Sequence, residues 1–352
     1  MDLFKATFGA KPAVTLFVPG RVNLLGEHTD YNGGTVLPKA LDIGVSLSLT
    51  PRTDDIIRVA SADFEGVAER SLDSGADEHW SDYAVGSVVV ANQAGWVSGG
   101  ADIALSSTLP FGAGISSSAA VCVAVLKALR VVVGFDATDT EIAVLARRVE
   151  NDFIGVPCGI MDQMAVSVTE PGDILALDTK SLDYELIAPP PHHRVAVVHS
   201  GVFRQLNEGR YKERKEECDA AKAYLGTDDL CHIDDAQLTS LRSVSDTVFR
   251  RARHCVTEEV RTTQAVDALR SGDMNTLGRL MNEGHASIRD DFEITVPEVD
   301  ALVAHAVELG ALGARQTGGG FGGCIVALVP HDTQDSWFAS LQARHPAIRW
   351  VA

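Results

Sequence analysis

Four stretches of this chain have residue types and spacing that could do chemistry. The first is Leu109-Pro110-Phe111-Gly112-Ala113-Gly114-Ile115-Ser116-Ser117-Ser118-Ala119-Ala120. Its glycines let backbone approach a ligand closely. Its serines open an apolar run that reads as a buried helix over 117–133. The N–H groups and dipole at the start of such a helix favour an anion, and the hydroxyls can donate to phosphate or ligate Mg²⁺. No lysine follows the glycines, so the G-x-x-x-x-G-K-[ST] loop is absent. The plain alternative is a glycine turn and a serine N-cap before a core helix.

The second stretch, 19–34, reads PGRVNLLGEHTDYNGG and packs Arg21, Glu27, His28, Asp30, Tyr31 and asparagine between glycines. Such a density of hydrogen-bonding groups suits a polyhydroxylated ligand, because each buried hydroxyl needs a partner. A solvated, turn-rich loop is the alternative. The third stretch holds Glu150, at the end of an amphipathic helix, and Asp162 in the segment Cys158-Gly159-Ile160-Met161-Asp162-Gln163-Met164. Asp162 has apolar neighbours, so its carboxylate is either capped structurally or functional. Glu150 at such a position is ordinarily a solvated surface residue. The fourth is Thr317–Gly323, with five glycines in seven residues, which fits backbone packed tightly against a ligand loop. A phosphate cradle, a metal site, a positive charge and a carboxylate at an acceptor hydroxyl are together what phosphoryl transfer to a hydroxylated small molecule requires.

The elements that must position these residues alternate between strand and helix. Strands are expected at 15–18, 43–50, 56–61, 102–106, 194–199, 324–329 and 348–351. Thr138 and Glu141 form a candidate capping box for a helix over 139–154, with Ile142, Leu145, Val149 and Phe153 on one face. Further helices are expected at 207–225, 256–271, through Met274–Ile288, from Pro297 to Leu309, and near 334–343. Pro189-Pro190-Pro191 is the candidate linker. The order gives an α+β chain in two parts, 1–187 with the phosphate-type loop and 188–352, with a nucleotide site expected between them.

Composition bounds the partners. A net charge of −18 repels nucleic acid and anionic membranes, so positive potential for a nucleotide must be local. The six cysteines show neither C-x-x-C pairing nor zinc spacing and read as reduced thiols of a cytoplasmic protein. The first twenty residues lack the apolar run of a signal peptide, and no stretch approaches a membrane span.

The motifs PGRVNLLGEHTDYNGG, LPFGAGISSSAA and RQTGGGFGGC resemble those of the GHMP small-molecule kinases. GEHTDYN resembles the galactokinase branch in particular, and VENDFIGVPCGIMDQ, YKERKEEC and MNEGHASIRDDFEIT extend the likeness over nearly the whole chain. The resemblance implies a two-domain fold with ATP and sugar meeting in the cleft between domains. It implies catalysis by Asp162 with Arg21 at the transition state, and sugar contacts from Glu27, His28, Thr29, Asp30, Gly159 and Tyr211. It further implies an ATP phosphate loop of Gly112, Ala113, Gly114, Ile115, Ser116, Ser117 and Ser118, and Mg²⁺ held by Ser118 and Glu150. The substrates it implies are galactose and ATP, with no nucleic-acid, membrane or obligate protein partner. Departures stand at Val18, at Lys39 and in Gly201–Leu206, which lacks the histidine-serine pair associated with the segment upstream of the sugar tyrosine. They bear on which sugars are accepted: N-acetylgalactosamine, arabinose or a modified galactose are alternatives to galactose. A non-catalytic sensor would predict a lost carboxylate or a damaged serine loop, and both are intact here.

Overall fold

The computed structural model describes residues 3–203 and 208–352. In chain order the first elements are α1 (Leu3–Phe8), β1 (Val14–Asn23), β2 (Thr35–Val36), β3 (Pro38–Pro51), β4 (Ile56–Ser61), β5 (Val67–Ser71), α2 (Asp82–Gln93), β6 (Ala101–Ser107), α3 (Ser117–Val133) and α4 (Asp139–Arg148). A π-helical turn, Val149–Ile154, leads to α5 (Met161–Val168), β7 (Ile174–Asp178), β8 (Tyr184–Ile187) and β9 (His193–His199). The remainder is α6 (Glu208–Leu225), α7 (Asp235–Ser240), α8 (Asp246–Ser271), α9 (Met274–Asp290), α10 (Pro297–Glu308), β10 (Gly313–Gln316), β11 (Cys324–Pro330), α11 (Gln334–Arg344) and β12 (Arg349–Trp350).

These elements form two compact units. The first comprises Met1–Arg21, Ala40–Leu109 and Ser116–Pro171. Within it β3 pairs antiparallel with β6, from Val45↔Ser107 to Pro51↔Ala101. β4 then runs parallel to β6 and antiparallel to β5. α3 packs against α2, α4 and α5. Its buried residues, among them Ala120, Val123, Ala124 and Leu126, lie on several sides, which is why its sequence is apolar nearly all round. The Thr138–Glu141 capping box starts α4 as expected.

The second unit comprises Val22–Lys39, Pro110–Ile115 and Gly172–Ala352. Its antiparallel sheet has the order β10-β11-β9-β12. α10 and α11 bury Val299, Leu302, Trp337 and Leu341 with the sheet's Val198, Ile325 and Ala327. A second core gathers Cys218, Cys231, Leu241, Phe249, Cys255, Ile288 and Phe292, with Tyr31 packed on it. Pro189–Pro191 joins β8 to β9, both in this unit.

Two of the expected helices differ in extent, and α1, α2, α5 and α7 answer to no expected helix. The helix expected over 139–154 is α-helical only to Arg148 and widens into the π turn. The helix expected from 256 begins ten residues earlier, capped by the Ser245 side chain on the Val248 N–H. Its first turns hide from an apolar-periodicity reading because one buried residue there is Arg251, whose guanidinium is met by Glu217 and Glu293.

Candidate active site

In the first unit, α5 begins beside β1, and this brings Arg21 to Asp162. Arg21 Nε donates to Asp162 Oδ1 at 2.8 Å, and Nη2 lies 2.6 Å from the same oxygen. Arg21 is buried, while the Asp162 side chain keeps 31% of its surface exposed. The carboxylate is thus oriented through one oxygen and remains accessible to a ligand. Gly159 lies buried just before α5.

The π turn carries Glu150 inward, against the surface position expected for it. The wider turn changes which side chains face the interior, a departure often found at functional sites. Glu150 is 6% exposed. Its Oε1 accepts from Gln163 Nε2 at 3.0 Å, and its Oε2 accepts from Ser118 Oγ at 3.4 Å. Burial, and then the nearby Asp162 carboxylate, push its carboxyl up to about 7, against the pull of Gln163, Ser118 and Arg21. Arg21, Asp162, Glu150, Gln163 and Ser118 therefore form one polar cluster in the first unit.

Ser118 stands in the first turn of α3. The serine before this helix does not cap it. Ser116 sits in the left-handed region at φ 65° and its side chain makes no cap hydrogen bond. Its buried Oγ has no hydrogen-bond partner among the described residues. The serine N-cap alternative is thereby removed, and among the described residues the first turn of α3 has no side-chain cap. A left-handed non-glycine residue with a stranded hydroxyl is the kind of strain that functional loops retain. Gly112 and Gly114 precede it, both with positive φ, and Ser117 is exposed. Ala113 and Ile115 are buried.

In the second unit the stretch after Arg21 makes a tight turn. Glu27 is buried, and its Oε1 accepts the Gly318 N–H at 2.8 Å, so the glycine-rich 317–323 segment meets the polar loop directly. His28 is left-handed at φ 60°, and its Nδ1 is 2.7 Å from Tyr31 Oη. Its ring lies 5.1 Å from that of Tyr211 and 4.7 Å from that of Phe292. Thr29 is buried, with Oγ1 donating to the Gly26 and Thr35 carbonyls. Asp30 is half-buried beside it. Glu27, His28, Tyr31 and Tyr211 thus assemble as an aromatic and polar group.

Among the positions where the sequence departs from the resemblance, Val18 is buried and Lys39 pairs with Ile174 across β3 and β7. Phe203 is exposed, whereas Arg204, Gln205 and Leu206 lie outside the described residues.

Sequence reasoning missed Gln163, Phe292 and the polar residues of α8. Gln163 neighbours Asp162 in the same motif, which was a usable signal. Nothing local marks Phe292, because it reaches His28 only through the fold.

No group of three or more His, Cys, Asp or Glu residues suited to a metal ion occurs among the described residues. No helix among them is long and apolar enough to cross a membrane.

Residues 2–51 match the galactokinase galactose-binding signature, 82–170 the GHMP kinases N terminal domain, and 265–347 the GHMP kinases C terminal region. The galactokinase of Roseiflexus sp. (strain RS-1) is 40% identical over 98% of this chain and 91% of that protein. That of Glaesserella parasuis is 38% identical over 94% and 88%. The crystal structure of Lactococcus lactis galactokinase complexed with galactose superposes with a TM-score of 0.93, at 32% identity over 99% of this chain and 95% of that one. Methanococcus jannaschii mevalonate kinase shares the fold at a TM-score of 0.69 and 18% identity, over 96% of both chains.

Proposed function

The chain belongs to the galactokinase family of the GHMP kinases, and we propose that it transfers the γ-phosphoryl group of ATP to the C1 hydroxyl of galactose. The C1 oxygen forms the new bond to phosphorus, the bond from phosphorus to the β–γ bridging oxygen breaks, and ADP leaves. The observation that carries this reading is the polar cluster of the first unit, in which an oriented carboxylate, a buried guanidinium and a serine–glutamate pair lie together. Asp162 orients the C1 hydroxyl and receives its proton late. A carboxylate is a weak base toward an alcohol, and phosphoryl transfer is largely positioning and charge stabilisation. Arg21 stabilises charge on the phosphoryl group.

The uncapped start of α3 and the 112–118 loop receive the ATP phosphates through backbone N–H groups and serine hydroxyls. Ser118 and Glu150 fit Mg²⁺. Both offer hard oxygen, and the carboxyl of Glu150, raised by burial and by Asp162, would regain the charged form beside a cation. A bound Mg²⁺ would neutralise phosphate charge. Glu27, His28, Asp30, Gly159 and Tyr211 make the sugar contacts, with Thr29 shaping their turn. A cytoplasmic location completes the reading.

The test is kcat/KM for galactose, glucose, 2-deoxygalactose and arabinose, with the product identified by NMR. A site that hydrogen-bonds a hydroxyl in one orientation strands its own polar groups when offered the epimer, a penalty of up to about four to five decades. Galactose 1-phosphate is the expected product, with glucose at background. Comparable galactose and glucose values would remove the galactose assignment.

A further inference from the structure

The Gly26–Asp30 turn is held from outside by α8. Gly26 has φ +90°, and a Cβ there would sit 2.5 Å from the Thr35 carbonyl oxygen. Its N–H donates to Glu258 Oε1 at 3.0 Å, a carboxylate rather than a backbone carbonyl. One residue on, the Glu27 carbonyl lies 2.9 Å from His254 Nε2. A carbonyl only accepts, so Nε2 carries the proton, and the other nitrogen, Nδ1, accepts from Ser287 Oγ at 2.8 Å. Residues 254 and 258 are one helical turn apart on the same face. They supply a donor and an acceptor to consecutive residues of the turn. At its far end, Glu259 takes the Thr35 N–H at 2.5 Å and the Thr35 hydroxyl at 2.8 Å.

The carboxylate of Glu258 is itself fixed. It is fully buried; Arg315 Nη1 donates to Oε1 at 2.6 Å and Arg261 Nε donates to Oε2 at 2.8 Å. Burial alone would raise its pKa, but the guanidiniums of Arg315 and Arg261 outweigh this and hold it well below the usual carboxylate range. Burial keeps the His254 imidazole neutral, lowered to about 4.

We propose that His254 and Glu258 are positioning residues for sugar binding, which clamp the Gly26–His28 backbone and so aim Glu27, His28 and Asp30. This rests on the reading of Glu27, His28 and Asp30 as sugar contacts. A polar pair that merely supported the core would alter stability and leave the sugar affinity of the folded enzyme unchanged. A clamp moves the sugar KM and spares the ATP KM, because its hydrogen bonds end on Gly26 and Glu27.

The experiment compares His254→Leu, His254→Gln and Glu258→Gln with Asp30→Ala and with Thr262→Val, a change at a buried α8 residue whose hydroxyl donates to the Glu258 carbonyl within the helix. Melting temperature, kcat and both KM values are measured on each full-length protein. His254→Leu and Glu258→Gln should raise the galactose KM about tenfold to a hundredfold with the ATP KM within about twofold. His254→Gln, whose amide can donate to Glu27, should recover much of the loss, and Thr262→Val should lower only the melting temperature. If Glu258→Gln does not fold, the two His254 variants decide. An unchanged galactose KM in His254→Leu beside a raised one in Asp30→Ala overturns the clamp alone. An unchanged galactose KM in Asp30→Ala overturns the sugar reading, and the clamp with it.

Discussion

Arg21 sends two nitrogens to a single oxygen of Asp162, an arrangement that aims a carboxylate more than it shields one. Asp162→Asn keeps the shape and an acceptor for Arg21 but removes the charge and the basic oxygen. It should lower kcat by at least about two orders of magnitude, measured as galactose-dependent ADP release; a near-normal kcat would take Asp162 out of the reaction. Glu150 gives a second prediction at this scale. Its carboxyl, raised by burial to about 7 from an ordinary 4.5, keeps in the folded state a proton that the unfolded chain has released. Between those values the folded state binds more protons, so stability of the ligand-free protein falls as pH rises from 4.5 to about 7 and changes no further through this group above it. Glu150→Gln should flatten that slope in denaturant titrations. A cation needs the charged form, so the Mg²⁺ concentration for half-maximal turnover should increase as pH falls below about 7 in the wild type. A requirement with the same pH dependence in Glu150→Gln would separate the residue from the metal.

The elements explain what a reader of the sequence could and could not see. α3 is legible to the residue, because an apolar run after a glycine-serine loop has few other readings. α4 is announced by its capping box, yet its conversion to a π turn is not, since the hydrogen-bond register depends on what packs around Glu150. α8 is half-read for a related reason. Its buried face includes Arg251, His254, Glu258 and Thr262, and periodicity counts polar residues as outward. The motifs near Arg21, Asp162 and Ser118 are visible because close spacing carries them, whereas α8 meets residues 26–35 only after more than two hundred residues of chain. The entry to α3 offers a prediction of its own. Ser116 combines a left-handed φ with a buried hydroxyl that lacks a hydrogen-bond partner among the described residues. Ser116→Gly removes both penalties, which outweigh the entropy that glycine gains when unfolded, and should stabilise the protein by about 1 kcal/mol. If the hydroxyl serves phosphate, the same variant raises the ATP KM. A more stable enzyme with an unaltered ATP KM would show the strain to be incidental.

For the whole molecule, a net charge of −18 means that positive potential for ATP must come from local structure, and backbone N–H groups at α3 together with Arg21 are the groups proposed to supply it. The chain also builds its second unit from separated pieces, since Val22–Lys39 belongs with Gly172–Ala352. That has a consequence for dissection. A fragment of residues 188–352 retains the β10-β11-β9-β12 sheet and both cores, but loses Gly26, Thr35 and Tyr31. Glu258 would keep its two arginines and lose the Gly26 N–H. Glu259 would lose both bonds to Thr35. Leaving a buried polar group unmatched costs about 1–3 kcal/mol each time, against a total stability of about 5–15 kcal/mol for an ordinary domain. Loss of the Tyr31 packing and of β7 and β8 adds to it. The fragment should therefore show no cooperative thermal transition by circular dichroism and poor amide dispersion by NMR, and co-expression with residues 1–187 should restore both. A sharp, reversible melt of 188–352 alone would mean that the segment after Arg21 is dispensable to the second unit, and that the polar face of α8 is satisfied without it.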